Sequence, residues 1–96
     1  MSEFKIDPDG VPIALRTKII WMQLAELRKN KGINQSALAA ALQLKQTTIS
    51  HFENGRTRPS LKVQDELVKF FGFEDIEELK ATLEKLIHWP DYKDTI

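Results

Sequence analysis

Few side chains in this 96-residue chain can act as nucleophiles, bases or metal ligands: it has no cysteine and two histidines, His51 and His88. Without cysteine there are no disulfides, no thiolate metal sites and no thiol catalysis. No spacing joins the two histidines into a metal pair. Ser50 and His51 are adjacent, so on a helix their side chains diverge by about 100° and cannot form a nucleophile–base pair. The four glycines sit at turn positions and form no phosphate-cradling loop. No enzymatic activity, metal or cofactor is therefore expected. What remains is a dense set of amide, hydroxyl and cationic groups between residues 35 and 58. A glutamine can pair bidentately with adenine, a threonine methyl can pack on a thymine methyl, and a histidine can donate to guanine. Arginine and lysine can grip phosphate without reading sequence.

The net charge speaks against such a partner at first sight, since 14 Lys and Arg balance 14 Asp and Glu. The average hides a segregation. Residues 1–15 hold three acids and one base, a balance of −2. Residues 16–62 hold nine bases against Glu26 and Glu53, a balance of +7. Residues 63–96 hold nine acids and four bases, a balance of −5. A basic middle between acidic ends can orient an encounter with a polyanion if each block occupies its own face.

Length and composition bound the rest. A chain of 96 residues with 42% hydrophobic and 29% charged side chains suits one small globular domain. The longest apolar stretch, Ile19-Ile20-Trp21-Met22, is far short of a bilayer span, and the start lacks the pattern of a signal peptide. A cytoplasmic protein with no membrane partner is expected, with no room for a separate ligand-sensing domain.

The elements that must position these groups are nearly all helical. Residues 1–16 read as an N-terminal arm containing the turn Asp7-Pro8-Asp9-Gly10. Phe4, Ile6, Val11 and Ile13 alternate around that turn, leaving a short hairpin and a partly ordered tail both open. Beyond it the pattern predicts five helices, over about 17–31, 35–42, 46–54, 61–71 and 76–88. Ile20, Leu24 and Leu27 mark the first by their helical spacing. Asn34, Ser60 and Asp75 are N-cap residues for the second, fourth and fifth, with Glu78 completing a capping box. The class is all-α.

Only Gln43-Leu44-Lys45 separates the second and third helices, which is the spacing of a helix-turn-helix over residues 35–54. Leu38, Ala39, Leu42, Leu44, Ile49 and Phe52 then face inward. At 100° per residue Thr47, Ser50, His51 and Asn54 point outward, with Gln46 in the first turn of the third helix. The N-terminal end of such a helix approaches base edges most closely, so Gln46 and Thr47 are the leading base contacts, with Ser50 and His51 further along. Gln35, at a helix N-terminus, can bond a phosphate.

Together, Leu24-Ala25-Glu26-Leu27-Arg28, Asn34-Gln35, Leu38-Ala39, Thr48 to Arg56 and Pro59-Ser60 resemble the phage-repressor (Cro/CI, or XRE) helix-turn-helix family over about residues 17–79. That resemblance implies a compact, five-helix, lambda-repressor-like domain that binds double-stranded DNA and regulates transcription. It also implies that Asn54, Arg56 and Arg58 grip the DNA backbone, and that Arg28 and Glu53 pair inside the protein. Two positions depart from the family pattern. Gln43 stands where a turn glycine is usual, at a cost of roughly 1 kcal/mol if the backbone is left-handed. Lys45 stands where a Ser or Thr N-cap is usual, and could instead meet a phosphate.

One such domain covers few base pairs, so a homodimer is expected. Residues 80–96 are read as the end of the fifth helix and a tail, with Leu83, Leu86, Ile87 and Trp89 as an exposed dimer surface. The competing expectation has the N-terminal arm covering them. Two functional readings follow: a stand-alone repressor, or an antitoxin-like protein that binds DNA and masks a partner toxin with its arm or residues 89–96.

Overall fold

The computed structural model describes residues 13–95. Six α-helices and a C-terminal 3-10 helix make up the described chain, with no strand among these residues. They are α1 (Ile13–Met22), α2 (Leu24–Asn30), α3 (Gln35–Leu42), α4 (Gln46–Glu53), α5 (Leu61–Phe71) and α6 (Ile76–Lys85), followed by Trp89–Thr95. The turn at residues 7–10 lies outside the described residues. Residues 13–16, expected in the arm, form the first turn of α1.

The helix starts follow local chemistry. Asn34 accepts from the Ala37 amide at 2.8 Å, Ser60 from Val63 at 3.3 Å and Asp75 from Glu78 at 2.9 Å. Each satisfies one of the donors that a first helical turn leaves open. The Glu78 carboxylate reaches back past the cap residue and accepts from the Glu74 amide at 2.7 Å.

The first helix breaks where a single helix was expected. At Gln23 the backbone N–H turns to Ile20 O, leaving the Ile19 carbonyl without its α-helical partner. The Gln23 side chain takes that place, donating from Nε2 to Ile19 O at 3.2 Å, and the same nitrogen lies 3.0 Å from Tyr92 Oη. A buried side-chain amide thus stands in for a backbone amide where α1 gives way to α2.

The core draws on every α-helix. Trp21, Leu24, Leu27, Leu38, Ala39, Leu42, Ile49, Phe52, Leu67, Val68, Leu79 and Leu83 form one buried cluster, with Leu44 packed at its edge. Here the surface expected for a dimer is corrected. Leu83 is 0% exposed, within the common core cluster, and Ile87 is 9% exposed, while α1 packs against α6. Leu86 is half-buried against the same core. The Trp89 ring lies under the Arg16 guanidinium, 4.8 Å from its centroid, and meets Tyr92 edge-on. Arg16 also pairs with Glu84. Leu83 and Ile87 are therefore not the exposed apolar surface that was expected.

Gln43 ends α3 at φ 57 and ψ 42, in the left-handed region. The Leu44 amide bonds back to Ala39 O at 2.8 Å, so the turn closes as a Schellman motif around a non-glycine residue. Gln43→Gly should raise stability by about 1 kcal/mol in chemical denaturation. An unchanged or lower midpoint would show that the turn is not strained.

Candidate nucleic-acid interface

The reading face is built on α4, whose inner side is fixed by Ile49 and Phe52. Burying those two turns Gln46 and Thr47 fully outward and leaves Ser50 and His51 half-buried. Lys45 precedes α4 in an extended conformation and makes no side-chain cap, so its ammonium is exposed beside the helix N-terminus. Asn54, Arg56 and Arg58 are exposed at the other end. The helix-turn-helix thus brings all the sequence-predicted binding residues onto α4, its flanking turns and the start of α3.

A polar chain links this face to the interior. Arg28, on α2, donates from Nε to Glu53 Oε2 at 2.8 Å and from Nη2 to Oε1 at 3.0 Å. Its third nitrogen, Nη1, donates to Ile33 O at 2.9 Å. Both side chains are nearly buried, with 9% and 5% exposure. The Glu53 hydrogen bonds push the Arg28 guanidinium still higher than its ordinary pKa, against the opposing effect of burial. The guanidinium is thereby held in its charged form.

Glu53 Oε1 accepts a second hydrogen bond, from Gln35 Nε2 at 2.9 Å. Gln35 Oε1 in turn lies 3.3 Å from Gln46 Nε2, and Ser36 Oγ donates to Gln46 Oε1 at 3.1 Å. Gln35 is thus a bridge from the buried pair to the reading helix, a role its position in the sequence did not reveal. A glutamine amide has two donors and two acceptor lone pairs. Within the chain Gln46 uses one of each. One donor and one acceptor remain, the combination that adenine N7 and N6 require.

At the far end of α4, Asn54 Nδ2 donates to Ser50 Oγ at 3.1 Å, and the Arg56 amide donates to His51 O at 2.9 Å. The chain turns here through Gly55 at φ +76. A Cβ at Gly55 would come within 3.0 Å of Met22 Sδ and 3.2 Å of Lys18 Cδ. The exposed Lys18 therefore lays its stem across this turn, adding a cation to the Asn54–Arg58 end of the face. Sequence reasoning missed it, because 37 residues separate Lys18 from Gly55 and no local pattern connects them. The basic block does not act as one face: Arg28 is buried with Glu53, Arg16 pairs with Glu84, and Lys31 lines a separate cleft with Phe70 and Phe71.

A family model described as helix-turn-helix matches residues 24–79, from the start of α2 to within α6. The chain belongs to the XRE-type helix-turn-helix family. As a member of that family it is a DNA-binding transcriptional regulator, and its helices have the lambda-repressor-like arrangement. The XRE-type family is generally non-enzymatic. Comparison with curated proteins and with solved structures finds no match. Among the described residues no helix is long and apolar enough to cross a membrane.

Two substitutions separate what holds this face from what it touches. Arg28→Met should cost about 3–5 kcal/mol, because it leaves the Glu53 carboxylate buried without its cation. A loss below 1 kcal/mol in denaturation would show that Glu53 is not dependent on the pair. Lys45→Ser should raise stability by about 1 kcal/mol through a restored cap. The same variant should weaken DNA binding at low salt, and tighter binding would remove Lys45 from the phosphate contacts.

Proposed function

We propose that the protein is a sequence-specific repressor that binds a two-fold symmetric operator as a homodimer in the cytoplasm, reading the major groove with α4. The observation that carries this reading is the outward Gln46 amide, steadied by Gln35 and Ser36 with one donor and one acceptor left over. Thr47, Ser50 and His51 complete the base-reading set. Gln35, Lys45, Asn54, Arg56 and Arg58 hold the backbone, with Lys18 beside them. A single domain of this kind spans few base pairs, which favours two copies on an inverted repeat.

An antitoxin-like role would need a segment free to mask a partner. Trp89 and Tyr92 are instead engaged with Arg16 on α1 and with Gln23 at the break between α1 and α2, which favours the stand-alone regulator over masking by residues 89–96.

Selection of bound duplexes from a random pool tests the proposal. The expected product is an inverted repeat with half-sites about one helical turn apart. Salt-labile binding with no enrichment would overturn it. On the selected operator, Gln46→Ala should relax preference at one position per half-site, a loss of about 1–3 kcal/mol in discrimination. Uniform weakening on all sequences would make Gln46 a backbone contact. Arg56→Ala with Arg58→Ala should lower the salt slope of log affinity by about two for each bound copy, and an unchanged slope would remove both from the phosphates.

A further inference from the structure

Helix α1 packs against both α6 and α4, and so stands between the segment Trp89–Thr95 and the reading face. That segment meets the α1 end of the chain at two points. The Trp89 ring lies under the Arg16 guanidinium, 4.8 Å away, and Tyr92 Oη accepts from Gln23 Nε2 at 3.0 Å. Arg16 and Gln23 are seven residues apart, about two helical turns along one face. Trp89 and Tyr92 also meet each other edge-on, so both contacts come from one packed unit.

A different face of α1 carries Lys18 and Met22, one turn apart. A Cβ at Gly55 would lie 3.0 Å from Met22 Sδ and 3.2 Å from Lys18 Cδ, so this face rests on the turn that ends α4. Asn54, Arg56 and Arg58 stand on the same turn, with the exposed Lys18 beside them. The helix is not held in place by continuity with α2, because its hydrogen bonding is interrupted at Gln23. Ile19 on α1 and Ile87, two residues before Trp89, are buried yet stand outside the common core cluster. Burial there comes from peripheral packing, to which a docked C-terminal segment belongs.

From this arrangement we infer that Trp89 and Tyr92 are positioning residues for DNA binding, which hold α1 so that Lys18 meets a backbone phosphate beside Arg56 and Arg58. Neither aromatic ring touches DNA. A lysine whose stem already lies along a fixed surface gives up less side-chain freedom on binding than one that must be ordered by the phosphate. When the segment is released, α1 keeps its buried Trp21, but Lys18 loses that fixed place and its phosphate. The inference rests on the proposed place of Lys18 among the backbone contacts. It does not require a symmetric operator or any sequence preference.

A random-sequence duplex is therefore the probe, since a phosphate contact acts on every sequence. Affinity is followed against salt for the unsubstituted chain, Lys18→Met, Trp89→Leu and the double variant, at a temperature where thermal melting shows all four folded. Lys18→Met should lower the salt slope of log affinity by about one for each bound copy. Trp89→Leu should lower it equally by itself, and the double variant should fall no further than either. Tyr92→Phe, which keeps the ring and loses the hydroxyl acceptor, should reduce the slope in the same direction and serves if Trp89→Leu does not fold. A full slope in the Trp89 and Tyr92 variants would overturn the positioning role, as would losses that add in the double variant. A full slope in Lys18→Met would remove Lys18 from the phosphates and the inference with it. Failure to select an operator, with these slopes intact, would count against the repressor reading alone.

Discussion

The buried ion pair between Arg28 and Glu53 is the constraint on which the reading face depends. It joins α2 to the C-terminal end of α4 and, through Ile33 O, to the loop that leads into α3. Two charges so far from water are tolerated only when their hydrogen-bonding capacity is met, and Gln35 supplies part of what Glu53 needs. The same amide touches Gln46, so the side chain that helps satisfy the buried carboxylate also steadies the exposed residue at the N-terminus of α4.

Local economy is sacrificed around this arrangement. Gln43 holds a left-handed conformation that glycine would adopt freely, and Lys45 starts α4 without a side-chain cap. Both irregularities fall in the turn that sets the angle between α3 and α4, and nowhere else among the described residues does a non-glycine take positive φ. Departures from local preference concentrate at functional sites when the rest of the structure compensates. Here the compensation is the core cluster beneath the turn, in which Leu38, Leu42, Ile49 and Phe52 interlock.

Much of this was legible in the linear sequence because it is written in short-range signals. Asn34, Ser60 and Asp75 cap helices within four residues of where they stand, and Gly72 closes α5 with positive φ. The inward positions of the helix-turn-helix follow helical periodicity alone. What escaped depends on partners far along the chain. The break at Gln23 requires Tyr92, 69 residues away, to make a buried amide tolerable. Leu83 and Ile87 read as surplus apolar surface because their burial is tertiary, and α1, which packs against α6, begins at Ile13 in a stretch whose turn signals suggested an arm. The bridge through Gln35 and the approach of Lys18 to Gly55 are likewise tertiary, and periodicity carries no trace of either.

Gln35 links the Arg28–Glu53 pair to Gln46 by hydrogen bonds to both. A double-mutant cycle between Gln35→Ala and Gln46→Ala, read out as affinity for the selected operator, tests it most directly. A coupling of about 1 kcal/mol is expected on that operator and none on non-specific DNA. Additive losses on both DNAs would contradict it, and would make the two glutamines independent contacts.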